Sequence, residues 1–119
     1  VYKLSADGIE QITKDHSLAQ QMLDSGQITQ EEFKNYPKKN IITRALGIDE
    51  KVDIDFDFTD LCEGETLLLC SDGLSGLLSD EEIFEIYKNT DYELLCDEYI
   101  KAANAKGGYD NITAVVMKG

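Results

Sequence analysis

An α+β fold built on antiparallel sheet is predicted by three features of this 119-residue chain. Strand-like segments follow one another across turns too short for a crossover helix, so neighbouring strands run antiparallel. Helical segments come in pairs, each opened by Ser or Thr with Glu or Gln three residues on. Hydrophobic residues make up 42% of the chain, which supplies one core and argues against wholesale disorder.

In order, "VYKLSADGIEQIT" reads as strand, turn, strand, with Ala6-Asp7-Gly8 as the turn. The chain opens at Val1, without Met and already in a strand, so it is expected to be cut from something longer. Ser17 with Gln20 and Thr29 with Glu32 predict helices over 18–24, ending near Gly26, and over 30–35, stopping before Pro37. "KVDIDFDFTD", 51–60, alternates strictly: Val52, Ile54, Phe56 and Phe58 on one face, Asp53, Asp55 and Asp57 on the other. That pattern predicts a strand with one solvated face. Glu63-Gly64 turns the chain into "TLLLCS", 66–71, whose run Leu67-Leu68-Leu69-Cys70 is the most apolar in the sequence and predicts a buried strand.

Ser79 with Glu82 predicts a helix over 80–88. Thr90 with Glu93 predicts a longer one over 91–105, with Leu94, Leu95, Tyr99, Ile100 and Ala103 on its apolar side and Gly107-Gly108 at its end. "NITAVVMK", 111–118, is a final strand rich in β-branched residues. The predicted order is β-β-α-α-β-β-α-α-β, within a single domain and without repeat or linker.

Eleven Lys and Arg against 24 Asp and Glu give a net charge of −13, which repels phosphate backbones and anionic lipid. Nucleic-acid and membrane partners are therefore not expected. No apolar segment approaches the ~20 residues of a membrane span, and neither a membrane span nor a signal peptide is expected in these residues. Three cysteines, Cys62, Cys70 and Cys96, without C-x-x-C spacing fit neither a disulfide framework nor a zinc site, so a reducing, cytoplasmic location is expected.

Two carboxylates stand out. Asp72, in "LLLCSDGLSG", follows the C-terminal end of one core strand; Asp110, in "GGYDN", precedes the N-terminal end of another. If these strands are antiparallel neighbours, both carboxylates reach one edge of the sheet. Like charges that close resist joint ionisation unless a cation sits between them, and hard oxygen ligands suit Mg²⁺ or Mn²⁺. Gly73 and Gly108 would let backbone approach such a site, and Asn111 would orient a ligand or water behind it. The competing reading is that "SDG" and "YDN" are ordinary turn chemistry.

"LLLCSDGLSGLLSDEEI" followed by "GGYDNITAVV" resembles the C-terminal part of the PP2C (PPM) family of metal-dependent Ser/Thr protein phosphatases. "GIEQITKDHSLAQQML", "GQIT" and "NIITRALG" resemble its bacterial branch, including a mobile flap that would span about 17–43. The resemblance covers essentially the whole chain. It implies part of an antiparallel β-sandwich flanked by helix pairs, in α-β-β-α layers, with the N-terminal half missing. It further implies a centre of two or more Mg²⁺ or Mn²⁺ per complete domain, to which Asp72 and Asp110 contribute, and hydrolysis of phosphoserine and phosphothreonine by metal-activated water. The implied substrates are phosphoproteins made by bacterial Ser/Thr kinases.

The family's early acidic residue, its metal-bridging Asp-Gly, its phosphate-binding Arg and its acid His have no equivalent in this chain. The other Asp-Gly, Asp7-Gly8, is hairpin chemistry. The chain alone is therefore expected to be inactive and to require an N-terminal half or a second chain. The alternative reading is a non-catalytic PP2C-like module that binds a partner or a cation.

Other candidates carry weaker signals. His16, the only histidine, and Arg44, the only arginine, could serve substrate or flap, but a structural place and a structural salt bridge are the expected roles. Asp53, Asp55 and Asp57 lack the glycine and distal Glu of a calcium loop and are expected to be a solvated face. Gly73 and Gly76 make no phosphate loop, and Ser71 no nucleophile elbow, because the surrounding motifs are absent.

Overall fold

A computed structural model describes residues 1–119. The chain divides into two compact units, one of Val1–Thr13 with Thr59–Gly119 and one of Lys14–Phe58.

The first unit is built on a four-stranded antiparallel sheet. Its strands are β1 (Tyr2–Ser5), β2 (Gly8–Gln11), β3 (Thr66–Cys70) and β4 (Ala114–Lys118), in the order β2-β1-β3-β4. β1 and β2 form the predicted hairpin, with Ser5 opposite Gly8. Between β3 and β4 the register runs from Thr66 opposite Lys118 to Cys70 opposite Ala114. Three helices, α3 (Asp72–Ser75), α4 (Asp80–Asn89) and α5 (Leu95–Ala105), cover one face of this sheet. Tyr2, Leu4 and Leu68 from the strands meet Leu74, Leu78, Ile83, Leu95, Tyr99 and Ala103 in one buried core. Inside it the Tyr99 hydroxyl donates to the Ile83 carbonyl oxygen at 3.1 Å, which satisfies the one polar group that so large a side chain brings in. Burial pushes the Tyr99 phenol above its usual range.

β3 is covered on one side only, which corrects the expectation of a buried strand. Thr66 and Leu68 are buried, whereas Leu67 and Leu69 point to the other face. Their cross-strand neighbours there, Met117 and Val115, are half-exposed. The continuous apolar run is therefore the signature of a strand with two apolar faces, of which this chain's helices bury one.

Other boundaries move for identifiable reasons. The Ser79–Glu82 capping box of α4 is present in both directions. Thr90, by contrast, is the extended C-cap of α4 and N-caps no helix; a 3₁₀ turn over Tyr92–Leu94 precedes α5. The Tyr92 hydroxyl donates to the Val116 carbonyl oxygen at 3.1 Å, which ties that turn to β4. β4 starts at Ala114 rather than 111 because the chain before it bonds to a side chain, that of Ser71, and leaves the ladder.

The second unit carries α1 (Leu18–Asp24) and α2 (Gln30–Lys34). The Ser17 hydroxyl accepts from the Gln20 N–H at the head of α1, and Thr29 and Glu32 form a complete capping box on α2. A bridge between Ser17 and Ile42 closes the unit's neck, with Thr43 N–H donating to the His16 carbonyl at 2.8 Å and Leu18 N–H to that of Ile41 at 2.9 Å.

The predicted strand over 51–60 is not formed: these residues join no ladder. Phe56 is 78% exposed and Phe58 95%. A strand needs a neighbour to receive its N–H and C=O groups, and no segment of the chain supplies one. The alternation thus marks an apolar face without its cover.

Candidate metal centre

The ladder between β3 and β4 decides where the two carboxylates go. Because Cys70 is opposite Ala114, the chain leaving β3 and the chain entering β4 lie at the same edge of the sheet. Asp72 is the first residue of α3, and Asp110 lies four residues before β4. Ser71 N–H donates to the Thr113 carbonyl at 3.1 Å, one step beyond the last ladder pair. Asp72 and Asp110 are therefore both carried at this edge of the sheet.

Gly73 makes the approach close. It is buried, and a Cβ placed on it would lie 2.2 Å from the Asn111 carbonyl oxygen and 3.5 Å from the Asp110 carbonyl carbon. No side chain fits there, so glycine is required for the loop of Asp110 to rest against the start of α3. Gly108 has φ +53, the left-handed region, and turns the chain from α5 toward Tyr109 and Asp110. Asn111 contributes through its backbone: its N–H donates to Asp110 Oδ1 at 2.7 Å, and its carbonyl accepts from Ser71 Oγ at 3.0 Å.

Both carboxylates are exposed. Asp72 meets solvent because the chain leaves the core at Ser71. The pair offers hard oxygen donors suited to Mg²⁺ or Mn²⁺, but no group of three or more His, Cys, Asp or Glu in the chain could hold a metal ion. The residues present fit part of a divalent site.

His16 and Arg44 lie elsewhere, in the unit Lys14–Phe58, joined through a residue that the alternating pattern had assigned to solvent. Asp55 receives Arg44 Nη1 at 2.9 Å on one carboxylate oxygen and lies 2.5 Å from His16 Nε2 with the other. Arg44 also donates to the Asp53 carbonyl at 3.1 Å. Arg44 thus makes the expected salt bridge. The guanidinium of Arg44, and then the imidazole of His16, hold the Asp55 carboxyl below the usual aspartate range. Asp55 was legible only as one of three equivalent aspartates. Ser71, which the sequence excludes as a nucleophile, bonds through its side chain, as a serine before a turn is placed to do.

No family model matches the chain. A protein of Listeria innocua named serine/threonine phosphatase stp is 41% identical over 118 residues, covering 98% of this chain and 47% of that protein. The serine/threonine phosphatase of S. agalactiae superposes with a TM-score of 0.89 at 34% identity, over 99% of this chain and 50% of the other. This chain corresponds to the C-terminal half of a bacterial PP2C-type serine/threonine phosphatase. The chain spans about half the length of the relatives it matches. Among PP2C-type structures, the catalytic domain of PstP, described as in complex with 2 manganese ions, matches at 36% identity and a TM-score of 0.75, over 97% of this chain and 47% of that one. No helix of this PP2C-type chain is long and apolar enough to cross a membrane.

Proposed function

We propose that this chain supplies the C-terminal half of a catalytic domain that hydrolyses phosphoserine and phosphothreonine in proteins, with Asp72 and Asp110 as two of its ligands to Mg²⁺ or Mn²⁺. The observation that carries this reading is the β3–β4 register, which delivers both carboxylates to one sheet edge with Gly73 seated on the Asn111 carbonyl. A divalent cation there would activate a water and neutralise charge on the phosphoryl oxygens. The chain's own residues do the positioning. Asp72 is presented by the first turn of α3, Asp110 is held by its own neighbour's N–H, and Gly73 lets the two loops close.

The remaining ligands come from outside these 119 residues. The bare face of Leu67, Leu69, Val115 and Met117 supports a partner of matching apolar character. The relatives, twice as long, support an N-terminal half in that place.

The test is complementation. The chain is co-expressed with the N-terminal half of the Listeria relative and assayed on a phosphoserine peptide with Mn²⁺. Phosphate release is expected from the pair, none from the chain alone, and none from a pair carrying Asp72→Asn. Release by the chain alone, or a pair indifferent to Asp72→Asn, contradicts the proposal.

A further inference from the structure

Ser71 stands at the N-cap of α3, where a serine ordinarily accepts a hydrogen bond from the first turn. Its hydroxyl makes no such bond. It reaches across the sheet edge instead. Ser71 Oγ donates to the Asn111 carbonyl at 3.0 Å and accepts from the Thr113 N–H at 3.0 Å, while its own N–H donates to the Thr113 carbonyl at 3.1 Å. One residue thus holds the strand entry on both sides of Ile112. It sits directly before Asp72, and its contact at Asn111 sits directly after Asp110.

We infer that Ser71 is a positioning residue that sets the separation of Asp72 and Asp110 by clipping the loop 110–113 to the end of β3. The inference rests on the reading of the two aspartates as cation ligands. The reasoning is geometric. Beyond Cys70 and Ala114 the ladder has ended, and α3 carries the chain away from β4. The Thr113 N–H then takes a side-chain acceptor where a strand would have offered a carbonyl. Gly73 fixes how closely the loop can approach, and Ser71 fixes its position along the strand. Without the hydroxyl, the Thr113 N–H and the Asn111 carbonyl lose their shared partner, and of the hydrogen bonds between Ser71 and this loop only the backbone one to Thr113 remains, beside the packing of Ile112 on the core. Two ligands on independently moving loops bind a cation less well than two held at a set spacing, because binding must then order them.

The experiment compares the chain with Ser71→Ala and Ser71→Thr by two readouts, amide hydrogen exchange at Thr113 and Mn²⁺ affinity by calorimetry. Protection of the Leu68 amide, in the buried part of β3, reports folding in each variant. Ser71→Ala is expected to accelerate exchange at Thr113 and to weaken Mn²⁺ binding roughly fivefold, the worth of about one hydrogen bond. Ser71→Thr, which keeps the hydroxyl, is expected to restore both. If Ser71→Ala accelerates Thr113 exchange but binds Mn²⁺ as the unsubstituted chain does, the serine is a structural clip alone and the inference is overturned. Unchanged exchange at Thr113 also overturns it. Failure of the underlying metal reading looks different: the unsubstituted chain binds no Mn²⁺, or Asp72→Asn leaves binding unchanged.

Discussion

At Gly73 an added methyl group meets backbone, the Asn111 carbonyl oxygen 2.2 Å away, which cannot swing aside as the end of a side chain would. Gly73→Ala is therefore expected to force the 110–113 loop from β3 and to cost about 1–3 kcal/mol, the usual penalty of overpacking. Thermal denaturation measures this, and an unchanged midpoint would show that the loop yields freely. Glycine at this position was legible in "SDG" as a residue that permits close approach. What the glycine approaches was not legible, because Asn111 is 38 residues away and meets it only through the β3–β4 ladder. Ser71 was obscured for the same reason: its partners are non-local, and its local setting suggests an N-cap that it does not perform.

Among the elements, the sequence was readable where signals are local. The three capping boxes at Ser17, Thr29 and Ser79 mark real helix starts, although at Ser17 the box closes in one direction, Gln20 turning to Asp24 instead. The same motif at Thr90 starts no helix: a 3₁₀ turn forms over Tyr92–Leu94, with the Tyr92 hydroxyl bonded to β4. The alternation over 51–60 predicts a paired strand that does not form, since periodicity reports a burial pattern and not the presence of a ladder partner. The neck of the unit Lys14–Phe58 offers a prediction at this scale. Asp55 bonds Arg44 and His16, and its carboxyl is held below the ordinary aspartate value of 3.8. A depressed carboxylate contributes stability that is present above 3.8 and is lost as pH falls through the lower, folded value. Amide exchange at Leu18 and Thr43, which pair across the neck, should therefore stay slow down to pH 3.8 and quicken below it. Asp55→Asn should quicken it already at neutral pH. Exchange that ignores both acid and Asp55→Asn would remove Asp55 from any role in closing the neck.

For the molecule as a whole, one sheet face is closed by helices and the other is bare. Apolar Leu67 and Leu69 with half-exposed Val115 and Met117 form a contiguous face of the kind that proteins reserve for contact. The acidic surface, at −13, works against self-association, while this face works for it. The chain alone is expected to bind a hydrophobic dye and to associate as concentration rises. Val115→Lys with Met117→Glu should lower both without lowering the thermal midpoint, since neither side chain belongs to the buried core. Sedimentation at several concentrations measures it, and association unchanged by the pair would place the sticky surface elsewhere. The fold of this half was largely legible, because its core face follows from periodicity and capping. Its incompleteness was legible in the motifs and is visible in the structure as an apolar face and an apolar row without cover.

The central claim is that Asp72 and Asp110 are two ligands of one divalent-cation site whose other ligands lie outside this chain. Calorimetric titration with Mn²⁺ of the chain, of Asp72→Asn and of Asp110→Asn tests it most directly. Weak binding by the unsubstituted chain is expected, abolished by either substitution. Tight binding that survives both substitutions would contradict it.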